Sequence, residues 1–211
     1  MKEDNITDAI VPIYCNSRFN GTGYIYKSYL ITAAHVVENM DDIGYVFQGN
    51  YYKLDEDNRK YIKKRGKDRD EFGRIIFNAL AEDLAIYRID THCDIFELSN
   101  ESVLDGTCST LFGYHYIDED NNPLKYGIVK IYNSCKIEGT ILFPQDYCMY
   151  CKKLENSFNI IKGYSGGPLI VENTVVGMLI ESMTIDGYYH IMKSKRIWDM
   201  INNNEHDTDR A

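Results

Sequence analysis

Ten short apolar runs of four to ten residues dominate the 211-residue chain. They include AIVPIYC (9–15), GYIYKSYLIT (23–32), GYVF (44–47), DLAIYRI (83–89), YGIVKIY (126–132), TVVGMLIES (174–182) and GYYHIMK (187–193). Each is rich in β-branched or aromatic residues, and Gly, Asn or Asp separates several of them. Many short strands with turn signals and little helix specify an all-β barrel or sandwich. The 18 tyrosines agree, because aromatic rings suit a pleated surface.

Two stretches read as helix. One is a single turn at 33–38. The other is SKRIWDMI (194–201), where Ile197, Met200 and Ile201 share a face and Trp198 lies at its edge. Residues 203–211 read as a flexible tail. The charged segment DEDNRKYIKKRGKDRDE (55–71) reads as a solvated surface loop. Strand-like patterning lapses over 91–106, which reads as a linker between two β-units. There is no internal repeat.

At 44% hydrophobic, the chain can bury one large core or two small domains sharing one. A formal net charge of −9 argues against nonspecific affinity for nucleic acid or an anionic membrane. The N-terminal MKEDNITDAIVPIY has early acids and no secretory h-region. No stretch is long and apolar enough to cross a bilayer. Six cysteines in such a chain are expected as free thiols, which points to the cytoplasm.

Three local words carry chemistry. In TAAHVV, His35 follows a strand end. In AEDLAIYRI, Asp83 stands before an alternating run, next to Glu82. In GYSGGPL, three glycines and a proline surround Tyr164 and Ser165. Alone, His35 and Asp83 read as turn and strand-start residues, and the glycine word as a tight turn. Together they suit acyl transfer, in which a serine needs a base, an orienting group and oxyanion donors.

In that order, His then Asp then Ser, the chain resembles the chymotrypsin/trypsin-like serine peptidases, from about Tyr24 to Trp198. The resemblance implies two antiparallel six-stranded β-barrels and a short C-terminal helix. The N-terminal barrel (1–95) would carry His35 and Asp83, and the C-terminal barrel (96–202) Ser165. It implies an oxyanion hole from the N–H groups of Gly163 and Ser165. It places the specificity pocket near Asn159 and Ile160, with walls at Ile180, Glu181, Ser182 and Gly187. Asn159 stands where trypsins have Asp, which leans toward an uncharged substrate residue before the cleaved bond; a basic one is the rival. A protein or peptide substrate is implied, with no metal or organic cofactor.

The chain also departs from secreted members. Val36 and Ile161 stand where those carry cysteines, and Tyr164 where they carry the Asp that pairs with a newly cut N-terminus. Activation by that ion pair is not expected, and control by a protein partner or by loop rearrangement is. The chain looks closer to intracellular bacterial or viral members such as the HtrA-like protease domain. The rival function is a latent protease-fold binding module; an esterase or acyltransferase ranks below it. Cys148-x-x-Cys151, with Cys135 or His92–Cys93, is a weak zinc half-site, since a structural zinc needs four well-placed ligands.

Overall fold

A computed structural model of the chain describes residues 6–38, 42–63, 67–69, 75–77, 83–115, 124–132, 135–137, 140–142, 147–154, 162–182 and 187–203. The first half holds β1 (Ile10–Cys15), β2 (Arg18–Thr32), α1 (Ala34–Val37), β3 (Ile43–Phe47), β4 (Asn50–Leu54), β5 (Arg59–Lys63), β6 (Lys67–Arg69), β7 (Ile75–Phe77) and β8 (Leu84–Cys93). The second half holds β9 (Glu97–Leu98), β10 (Cys108–Tyr114), β11 (Leu124–Tyr132), β12 (Cys135–Ile137) and β13 (Thr140–Leu142). It continues with β14 (Cys148–Lys153), β15 (Pro168–Val171), β16 (Thr174–Ser182), β17 (Tyr188–Lys193) and α2 (Ser194–Asn203).

The expected pair of closed barrels is corrected to one. In the C-terminal sheet the strand order is β15-β10-β11-β14-β17-β16, and β15 also pairs with β16, closing a six-stranded ring. That closure comes from a tight hairpin, Val171 opposite Thr174, with Glu172 at φ 55°. The N-terminal sheet runs β4-β3-β1-β2-β8-β5 and stays an open, curled sheet. Its edges, β4 and β5, are joined by the 55–58 turn, but no ladder between them is found among the described residues. The turn satisfies itself: Asp55 N–H donates to Asn58 Oδ1 and Asn58 N–H to Asp55 Oδ1. Edge strand β4 shows Tyr51, Tyr52 and Lys53 to solvent, a side-chain set that discourages further pairing.

Two other expectations shift. The charged 55–71 segment is not wholly loop, because β5 lies within it and pairs with β8 through Tyr61–Ile86 and Ile62–Ala85. The 91–106 stretch is not wholly linker either. β8 runs to Cys93, and β9 already pairs in parallel with β16.

The open sheet packs around Tyr24, Ile25, Leu30, Ile31, Leu84 and Ile86, all fully buried. Each of the aliphatic side chains among them contributes roughly 1.5–3 kcal/mol relative to exposure. The barrel interior is a second cluster, including Leu111, Ile131, Cys151, Tyr164, Leu169 and Ile191. α2 forms where the sequence placed it. Its Ile197 and Ile201 are buried in the first cluster, with Trp198 and Met200 packed against it. Lys60 of β5 fastens this helix across the molecule, donating to the Ile201 carbonyl at 2.9 Å with its ammonium 4.8 Å from the Tyr29 ring centroid. No helix among the described residues is long and apolar enough to cross a membrane.

Candidate functional site

The turn of α1 buries Ala34, Val36 and Val37, which leaves the His35 side chain 43% exposed on the opposite side. Asp83 immediately precedes β8, and its side chain is 2% exposed. A buried carboxylate is costly unless donors satisfy it. Here His35 supplies two: its backbone N–H at 2.9 Å from Oδ1 and its ring Nδ1 at 2.6 Å from Oδ2. A carboxylate accepts and does not donate, so Nδ1 carries the proton of the neutral ring. The Nε2 lone pair is then left available as a base.

Ser165 sits half-buried in the 162–167 turn, which is shaped by glycine. Gly163 has φ +106°, and a Cβ there would come 2.6 Å from the Tyr114 carbonyl oxygen. Gly166 has φ +85°, and a Cβ there would strike the Thr22 carbonyl and the Thr32 hydroxyl. Gly166 is thus seated on the end of β2, three residues before His35. The turn therefore packs against residues on both sides of His35: Thr32 and Ala33 through Gly166, and Val36 across Gly21. Neither the Gly163 N–H nor the Ser165 N–H has an acceptor among the described residues.

Thr22 holds this turn in place, and the sequence reading missed it. It is fully buried. Its hydroxyl donates to the Gly163 carbonyl at 2.7 Å and accepts from the Tyr114 N–H at 2.8 Å. Its backbone N–H donates to the Ser165 carbonyl at 2.9 Å. Its carbonyl accepts from the Thr32 hydroxyl at 2.7 Å. The available signal was its flanks, Gly21 and Gly23, since glycines within a strand mark close backbone approach. Gly21 leaves room for Val36, whose methyls would lie 2.7–2.8 Å from a Cβ there.

Tyr164 points into the barrel core and is fully buried. Its hydroxyl has no hydrogen-bond partner among the described residues, and burial pushes its pKa well up. Gly113 makes room for its ring.

The expected pocket residues are placed unevenly. Asn159 and Ile160 lie outside the described residues. Ile180 is buried within the first core cluster, Glu181 is half-buried, and Ser182 ends β16. Gly187 has φ +68° and open space around it.

Two other groupings fall short of a site. Cys148 and Cys151 lie on opposite faces of β14, one in each core cluster, because strand side chains alternate. They cannot share a zinc ion, and among the described residues no group of three or more His, Cys, Asp or Glu is placed to hold a metal. Ser28, His92 and Asp94 form a second serine–histidine–aspartate chain, at 3.2 and 2.7 Å. His92 and Asp94 are 57% and 68% exposed, so water competes for every bond, and no glycine turn flanks Ser28.

Comparison with known proteins agrees with this architecture. A Mycobacterium tuberculosis protease in its active form is similar at 14% identity, over 93% of this chain and 80% of that one, with a TM-score of 0.64. Mouse neuropsin, a serine protease, is similar at 14% identity over 94% and 95%, with a TM-score of 0.66. Human heparin binding protein is similar at 14% identity over 96% and 94%, with a TM-score of 0.63. Bacterial and mammalian structures match at like identity, so no branch stands out. Compared by sequence with curated proteins, the chain has no significant match. The trypsin family model matches residues 3–192, and the chain belongs to the trypsin family.

Proposed function

We propose that the protein is a serine endopeptidase that hydrolyses peptide bonds of a protein substrate. The observation that carries this reading is the two-point grip of buried Asp83 on His35 beside the Ser165 turn. In this reading His35 Nε2 takes the proton of Ser165 Oγ as the oxygen attacks the scissile carbonyl. Asp83 keeps the ring in the accepting tautomer and then stabilises the imidazolium. The N–H groups of Gly163 and Ser165 receive the oxyanion, each donor worth about 2.7–4 kcal/mol of activation energy. His35 returns the proton to the leaving amine, and water cleaves the acyl-enzyme through the same base. Asn159, Ile160, Glu181, Ser182 and Gly187 would shape the pocket for the residue before the cleaved bond, with Ile180 packing behind it.

The described cysteines are free thiols, and the family's two disulfide positions hold Val36 and Ile161. Both features favour a reducing, cytoplasmic setting and the intracellular branch of the family. Tyr164 replaces the aspartate of the N-terminal activation switch, so control would fall to a protein partner or the substrate. The test is intact-mass analysis after fluorophosphonate treatment of wild type and Ser165→Ala. One adduct on wild type and none on the variant is expected. A folded wild type that takes no adduct would refute the reading and leave a latent binding module.

A further inference from the structure

A surface cavity of about 480 Å³ opens beside the Ser165 turn. Lys162 and Gly163 form one wall, and the β1–β2 hairpin forms the other through Cys15, Arg18 and Asn20. None of the described residues of the proposed β16–β17 specificity pocket lines it. A chain seated in that pocket, with its carbonyl at the Gly163 N–H, would pass over this cavity with the segment beyond the cleaved bond.

The charge of the cavity is unusual for an acidic protein. Among the described residues, Arg18 and Lys162 line it and no carboxylate does. Arg18 is exposed and has no carboxylate partner among the described residues. The carboxylate acting on Cys15 from nearby, Asp42, is already paired with Lys53 at 3.1 Å. Cys15 adds no negative charge, because burial pushes its thiol up to about 11. Its Sγ–H donates to the Val36 carbonyl at 3.2 Å, and the Asn20 amide donates to the same oxygen. These bonds tie the cavity floor to the residue after His35.

We propose that this cavity is a substrate subsite that selects a carboxylate, an Asp or Glu side chain within three residues after the cleaved bond. The proposal rests on the peptidase reading above. One partly screened ion pair, to Arg18, gives up to about a fivefold preference for Glu over Gln.

The test is digestion of a peptide library, randomised on both sides of the cleaved bond, with sequencing of the new N-termini. Amidated and free-acid versions of the library separate a side-chain carboxylate from a chain-terminal one. Wild type should enrich Asp and Glu in the first three residues after the cut in both versions. The enrichment should shrink as salt rises and vanish in the R18Q/K162Q variant, and R18E should shift it toward Lys. Acid enrichment before the cut, in the free-acid library alone, or undiminished in R18Q/K162Q would overturn the subsite. Fluorophosphonate labelling of the same wild-type sample separates the two ideas. Labelling without acid enrichment sinks the subsite alone. Absence of both labelling and cleavage sinks the peptidase reading, and the subsite falls with it.

Discussion

Replacing Thr22 by valine removes one oxygen and leaves the side-chain shape nearly unchanged. That oxygen makes two buried hydrogen bonds, to the Gly163 carbonyl at 2.7 Å and from the Tyr114 N–H at 2.8 Å. Valine leaves both backbone groups buried without that partner. An unsatisfied buried group costs about 1–3 kcal/mol, so Thr22→Val should lower unfolding free energy by about 2–6 kcal/mol. Thr22→Ser keeps the oxygen and loses one methyl, at about 1 kcal/mol. Urea unfolding of the three proteins gives the comparison. The valine variant should also label more slowly with a fluorophosphonate where it remains folded, because the Gly163 peptide has lost its tether. A valine variant within 0.5 kcal/mol of the serine variant would refute the clamp.

Lys60→Met keeps the aliphatic stem but removes the donor to the Ile201 carbonyl. It should cost about 1–2 kcal/mol and speed hydrogen exchange in α2, whereas unchanged α2 exchange would contradict that docking. Native-state alkylation should reach exposed Cys108 well before buried Cys15 and Cys151; peptide mapping at matched times checks this, and equal rates would count against the core assignment. Stability should fall as pH rises from about 9 to 11. Over that range Cys15 ionises in the unfolded chain while the folded thiol keeps its proton, so the unfolded state binds fewer protons. Urea midpoints across that range give the readout, and a flat profile would deny Cys15 its buried setting.

The strands were legible because their apolar runs are short and punctuated, and α2 because Ile197 and Ile201 recur at helical spacing. Barrel closure was not legible. It depends on whether two edges meet in register, as β15 and β16 do and β4 and β5 do not, and no local pattern encodes that. β5 hid within a charged segment, since an edge strand with Arg59 and Lys60 looks like a loop when its partner β8 is out of view. Within the site, GYSGGPL was visible because positive φ at Gly163 and Gly166 demands glycine. Thr22 was not, because its bond to Gly163 spans 141 residues. Its trace was the pair of flanking glycines. The two cysteines of CxxC looked like ligands by spacing, but strand alternation turns them to opposite faces.

The most direct measurement is the fluorophosphonate labelling rate of Asp83→Asn against wild type. Asparagine keeps an oxygen for the His35 backbone N–H, but its amide donates to Nδ1 and holds the proton on Nε2, where the ring can no longer act as base. The account predicts a folded variant that labels about 10⁴-fold more slowly, the loss typical of a triad in the wrong tautomer. A folded variant labelling within tenfold of wild type would contradict it and make the Asp83–His35 pair a structural contact.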